Sequence, residues 1–147
     1  MFVIRSLLIG LLVILPEMLA AQSVTLRPLK PTTTKPVLYE LRVQLSTPLS
    51  PTAVVEVQFP RYFDLSSLKI AGSNQIKGGI QFSVDSTTVT LKRSGLGPAI
   101  AAGQPVSLIF GPVAQKDTVA ADSVNIRIFY DGLQQRTQFQ AFKIGIR

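Results

Sequence analysis

From Val37 to Leu45 the chain alternates with a period of two. Val37, Tyr39, Leu41, Val43 and Leu45 fall on one side, and Leu38, Glu40, Arg42 and Gln44 on the other. Successive side chains of an extended strand point to opposite faces, so this segment can bury one face in a core while the other meets water. A helix would scatter the same residues around its circumference. Ala53, Val55, Val57 and Phe59 repeat the pattern with Glu56 and Gln58 between them, and Ser46-Thr47-Pro48-Leu49-Ser50-Pro51 supplies the intervening turn chemistry. The two runs either pair as a hairpin or connect two sheets.

The same period continues downstream. Ile80, Phe82 and Val84 alternate before Asp85-Ser86, and Thr87, Val89 and Leu91 alternate after it, which predicts a hairpin around a tight polar turn. Val106, Leu108 and Phe110 form the next strand, entered through Gly103-Gln104-Pro105 and closed by Gly111-Pro112, whose ring removes a ladder donor. Val124, Ile126, Ile128 and Tyr130 form another, ending at the turn pair Asp131-Gly132. The run from Thr137 to Ile146 changes phase, with Phe139 and Ala141 in one frame and Phe142, Ile144 and Ile146 in the other. A β-bulge near Ala141 reconciles them, as does a strand buried on both faces; the bulge is preferred. Val24 and Leu26 add a short leading strand and Leu68 to Ile70 another, for seven to nine strands. The only helical candidate is a short turn at Ile100-Ala101-Ala102. The apolar phase of these strands predicts a core of Tyr39, Leu41, Val43, Val55, Val57, Phe82, Val89, Leu108, Ile126 and Ile128.

Many short strands punctuated by Gly, Pro and Asp indicate an antiparallel sandwich or barrel. The irregular connections from Pro60 to Gly79 and from Gly111 to Ser123 suit crossovers between sheets better than an up-and-down barrel. Through Phe59-Pro60-Arg61-Tyr62-Phe63 after a strand and Ala102-Gly103-Gln104-Pro105-Val106 before one, the chain resembles the immunoglobulin-like modules of bacterial secreted and surface proteins. The resemblance implies an all-β, antiparallel immunoglobulin-like β-sandwich. Cys and Trp are absent, so the cysteine-tryptophan signature of antibody domains is missing.

The N-terminus adds a destination. Arg5 precedes an apolar run from Ser6 to Leu15, Pro16 breaks it, and Met18-Leu19-Ala20-Ala21 offers small residues to a signal peptidase. A spanning helix needs about 20 apolar residues, twice what this run supplies, so residues 1–21 read as a signal peptide cleaved after Ala20 or Ala21 rather than an anchor. Residues 22–147 then make one domain, with 22–36 as an extended, proline-containing lead-in. No later segment approaches membrane-spanning length, which places the mature chain outside the cytoplasm, secreted or periplasmic, without an integral span. An exported domain without cysteine weakly favours a bacterial source.

Composition narrows function by subtraction. Without His or Cys the chain lacks the easiest routes to nucleophilic, acid-base and zinc chemistry near neutral pH. Asp117, Asp122 and Asp131 lack the dense spacing of a calcium cage and read as structural caps. Glu40 and Glu56 could face each other across a hairpin, as paired glycosidase carboxylates do, but no cleft signature accompanies them. No catalytic residue, metal ligand or cofactor site is expected. Fifteen Lys+Arg against eight Asp+Glu give a formal charge of +7, which points to an anionic partner or simply to a well-solvated surface. Export turns that charge away from nucleic acid.

Two readings survive. One is a non-catalytic structural or interaction module whose partner is an envelope or extracellular protein; the other is a binding module for carbohydrate or an anionic envelope polymer. Candidate contacts are the aromatics Tyr62, Phe63 and Phe129, which can stack if exposed, and the cations Lys92, Arg93 and Arg136 near turns. The competing assignment for the aromatics is the core, and for the cations a solvated face.

Overall fold

The computed structural model describes residues 22–30, 35–116 and 123–132, together with the backbone of residues 136–141. All regular structure among them is β: β1 (Ser23–Pro28), β2 (Val37–Gln44), β3 (Val54–Gln58), β4 (Phe63–Asp64), β5 (Ile70–Gly72), β6 (Ile80–Asp85), β7 (Thr88–Arg93), β8 (Val106–Gln115), β9 (Val124–Phe129) and β10 (Arg136–Ala141). Sheet one is ordered β1-β2-β8-β4, with β5 also paired to β8; sheet two is ordered β10-β9-β3-β7-β6, and every pairing is antiparallel. The alternating segments after Val37 and after Ala53 do not pair. They carry the chain from one sheet to the other.

β4 and β5 lie in succession along the same side of β8, Phe63 opposite Gln115 and Ile70 opposite Gly111, so they are two pieces of one interrupted edge strand. Counted that way the described residues fill nine strand positions, in two sheets ordered like the A-B-E-D and G-F-C sheets of an immunoglobulin sandwich. The β6-β7 hairpin extends the second sheet beyond β3. The fold is an immunoglobulin-like β-sandwich.

Alternation places Tyr39, Leu41, Val43, Val55, Val57, Val89, Leu108, Ile126 and Ile128 between the sheets, all buried in one cluster. Tyr39 is fully enclosed, edge-on to Phe59 and Phe63 with ring centroids 5.8 and 6.4 Å away, and stacked on Phe110 at 6.5 Å. Burial pushes its hydroxyl pKa up to about 12, with Tyr62 adding to the shift, and the hydroxyl has no hydrogen-bond partner among the described residues.

Phe82 departs from the expected core. It lies opposite Leu91 on the inward phase, but β6 is the outermost strand of sheet two, and the facing edge of sheet one is only the short pieces β4 and β5. Phe82 and Val84 therefore stay 38% and 39% exposed.

β8 also departs from expectation, continuing past Pro112 to Gln115. Tyr39 pairs with Phe110 and Val37 with Val113, so Gly111 and Pro112 together oppose Leu38 in a bulge. The bulge absorbs the residue that has no N–H. Gly111 sits at φ +139, and a Cβ there would lie 3.1 Å from the Val37 carbonyl oxygen, which reserves the position for glycine.

β6 and β7 form the expected hairpin, but its turn is Ser86-Thr87 rather than Asp85-Ser86, because Asp85 still pairs with Thr88; Ser86 takes φ 52. Residues 100–102 form no helix; Ile100 instead bridges Leu49 through two backbone bonds of 2.9 and 3.0 Å. β10 keeps one register with β9 from Arg136 through Ala141, opposite Val124, and the bulge expected near Ala141 bears on the residues that follow. The phase change after Ala141, residues 1–21, Asp117 and Asp122 lie outside the described residues.

Candidate functional site

The six candidate contacts separate into interior and surface. Phe63 is buried against Phe59, with ring centroids 5.1 Å apart, and belongs to the core. Tyr62 lies half-buried on top of it, at 5.0 Å and an interplanar angle of 34°, and is the aromatic of this loop that reaches the rim.

Arg93 lies inside the sandwich rather than on its surface. It shares the inward phase of Val89 and Leu91 and is only 4% exposed. Its Nη1 donates to the Leu49 and Ser50 carbonyls at 3.0 and 2.8 Å, and its Nη2 to the Pro98 carbonyl at 2.7 Å. Burial lowers its pKa from the ordinary value. The side chain braces the two connections that cross between sheets, 45–53 and 94–105, at the point where Leu49 and Ile100 pair.

Strand register assembles the remaining candidates into one row. Arg136 lies opposite Phe129, Phe129 opposite Val54, Val54 opposite Lys92 and Lys92 opposite Gln81, across all five strands of sheet two. The row is on the outer phase. Phe129 and Val54 are nevertheless buried and stand apart from the inter-sheet cluster, so Phe129 is no open stacking platform; Lys92 is exposed. The adjacent row holds Arg127 and Glu56, paired at 2.7 Å. Glu56 thus occupies the outer face of sheet two and Glu40 the outer face of sheet one, on opposite sides of the molecule, which removes the facing-carboxylate arrangement.

Glu40 organises the other outer face. It is 6% exposed, and its carboxylate accepts hydrogen bonds from Arg27 Nε at 2.6 Å, from Arg42 Nε at 3.1 Å and from the Ser107 hydroxyl. The Ser107 bond, ahead of the two guanidinium groups, lowers its pKa to about 2 against the opposing effect of burial. Arg42, Ser107, Asn74, Gln75 and Ile109 line a hollow of about 330 Å³ beside it. Strand alternation marked Glu40 and Arg42 as outward-facing, but their joining with Arg27 required the β1-β2 register.

The edge of sheet two is the third feature. Val84 walls a shallow hollow of about 560 Å³ shared with Arg61, Asp64, Ser66 and Lys116. Hydrogen bonds from Ser66 and the Lys116 ammonium at 4.0 Å hold the Asp64 carboxyl below its usual range. Among the described residues, no cluster of three metal-ligating side chains occurs and no helix is long and apolar enough to cross a membrane.

No protein-family model matches the chain, and no curated protein matches it by sequence. Solved structures match it in shape. Domains D2 and D3 of the major pilin SpaD of Corynebacterium diphtheriae superpose with a TM-score of 0.54 at 10% identity, over 82% of this chain and 50% of that one. A Nocardia farcinica protein with an immunoglobulin-like fold gives 0.49 at 16% identity, over 80% and 81% of the two chains. A C-terminal fragment of the major pilin GBS80 of Streptococcus agalactiae gives 0.47 at 6% identity, over 83% and 53%. The chain spans about half the length of the SpaD structure. At these identities the likeness is one of fold.

Proposed function

We propose that this chain is an exported, non-catalytic interaction module of the cell envelope or extracellular space. In this reading residues 22–147 fold as one domain after residues 1–21 are removed, and the module works by protein–protein contact. The observation that carries the reading is β6: a six-residue strand with no pairing partner on its outer side among the described residues and two large apolar side chains left more than a third exposed. Such an edge accepts another strand. The shape shared with domains of a major pilin fits an assembly role. The start of β1 at Ser23 fits cleavage after Ala20 or Ala21, because the first strand stays whole.

Two measurements test it. Intact mass of the exported protein should show a chain beginning at Ala21 or Gln22; recovery of the full chain from membranes rejects cleavage. A photoreactive residue at position 82 should crosslink the protein to an envelope or extracellular protein in the exporting cell, while one at the exposed Thr25 of β1 should not. Equal yields at both positions would reject β6 as the contact.

The second reading, binding of carbohydrate or an anionic envelope polymer, is favoured by the exposed Lys92 and by Arg42 at the hollow beside Glu40. Binding through these cations should weaken as salt rises and weaken further in Lys92→Ala/Arg42→Ala. Salt-insensitive binding unaffected by the substitutions rejects it.

A further inference from the structure

Native sheets blunt their edges with proline, lysine, bulges or short strands. Three edges here are blunted or carry a cation. β1 ends in Arg27-Pro28, β4 and β5 are pieces of two and three residues, and β10 begins with Arg136. β6, with the sequence Ile80-Gln81-Phe82-Ser83-Val84-Asp85, has neither proline nor a cation and pairs with β7 without a register shift.

We propose that β6 pairs antiparallel with β6 of a second copy of this chain, about a twofold axis at Ser83, joining the two five-stranded sheets into one. The inference rests on the reading of β6 as the contact edge and names its occupant. Register selects it. With Ser83 opposite Ser83, Phe82 falls opposite Val84 of the second copy and Gln81 opposite Asp85. Residues directly opposite in an antiparallel pair share a face. On the inner face, two Phe82-Val84 pairs then cover the apolar surface that each sandwich leaves open.

On the outer face the charges are complementary. Lys92 lies opposite Gln81 within one copy, so in this register it shares a row with Asp85 of the second copy, two strand spacings away, roughly 9.5 Å between backbones. The twofold axis repeats that pairing. A two-residue slip in either direction sets Phe82 or Val84 against itself and takes Asp85 out of the Lys92 row. A one-residue slip sets Phe82 opposite Ser83 in one direction or Asp85 in the other, and places the two sandwiches on opposite sides of the joined sheet. Only the Ser83 register satisfies both faces, and a twofold contact of this kind closes on itself. The net charge of +7 opposes association, but at physiological ionic strength that repulsion decays over about 8 Å, whereas the Lys92 and Asp85 groups meet locally.

The purified exported protein should double its mass with rising concentration in sedimentation equilibrium. Phe82→Lys, Lys92→Glu and Asp85→Lys should each hold it at the monomer mass, and Lys92→Glu/Asp85→Lys should restore the dimer by exchanging the charges. Phe82, Lys92 and Asp85 are exposed, and unchanged urea midpoints confirm that the variants fold. A monomer at every concentration overturns the proposal, as does a dimer that survives Phe82→Lys or a charge exchange that restores nothing. A monomeric chain that still crosslinks from position 82 to another protein refutes self-pairing and leaves the assembly reading standing. If the crosslink is absent too, both fail.

Discussion

Arg93 offers the sharpest test of how the sandwich is held together. Its guanidinium is buried without a carboxylate partner among the described residues, and its three hydrogen bonds go to the carbonyls of Leu49, Ser50 and Pro98. Hydrogen bonds from a charged donor contribute about 1.5–3 kcal/mol each. Two effects reduce the sum in Arg93→Ala. The Leu49 carbonyl keeps the Ile100 N–H at 2.9 Å, and Ser50 and Pro98 are accessible enough for water to replace the lost donors. The net loss should be on the order of 2–4 kcal/mol, close to 4 °C in Tm for each kcal/mol in a domain of this size. Arg93→Lys should lose about half as much, because one ammonium cannot serve both the Leu49-Ser50 and the Pro98 sides of the fork. Urea denaturation followed by far-ultraviolet circular dichroism measures both. A midpoint for Arg93→Ala within about 0.5 kcal/mol of wild type would refute the bracing role, and full stability of Arg93→Lys would show that charge, not the fork, is what matters.

Three further outcomes follow from the geometry. Tyr39→Phe removes a buried hydroxyl that has no partner among the described residues; because an unsatisfied buried polar group costs about 1–3 kcal/mol, the variant should unfold at the same or higher urea, and a loss beyond about 1 kcal/mol would reveal a hydrogen bond. Glu40 has a folded pKa of about 2 against an ordinary 4.5, so its contribution is present in full above the ordinary value and is lost as pH falls through that window. Glu40→Gln should flatten the acid limb of the stability profile, and an unchanged limb would refute the assignment. Leu41→Ala in the closed core should cost about 2–5 kcal/mol, whereas Phe82→Ala on the open edge should cost well under that, and equal losses would place Phe82 inside.

Legibility followed the physics of each segment. β2 and β3 were readable because one face is buried and the other wet, which writes the period of two directly into Val37 to Leu45 and Ala53 to Phe59. Alternation also carried β6, but it reports phase, not cover. Phe82 has the phase of a core residue but lies on the outermost strand, opposite only the short edge pieces of sheet one, and the place of a strand in its sheet depends on pairings made far along the chain. Arg93 erred the other way: its phase pointed inward with Leu91, while its charge suggested solvent. The carbonyls that receive it come from loops 40 or more residues away and from Pro98 nearby. Phe129 sits on the outer phase and is buried all the same. The row joining Arg136, Phe129 and Lys92 was invisible because it depends on three strand registers at once. Pro112 misled for a local reason, since a bulge at Gly111 lets a strand pass through a residue that a regular ladder would exclude.

The break between β4 and β5 bears on how copies of such a module could combine. Along that side of β8 the chain leaves the ladder after Asp64, turns Leu65 and Leu68 into the core, and returns at Ile70. An incoming strand would find two consecutive pairing positions, then a step, then three. Proline closes the far end of β1 on the opposite side. Both lateral edges of sheet one are therefore poorer acceptors than β6, and lateral growth runs more readily through sheet two. If β6 is spent on a twofold contact, each chain has used that valence once, and the product is a discrete pair with its sheet-one surfaces facing solvent on both members, still available to whatever binds beside Glu40.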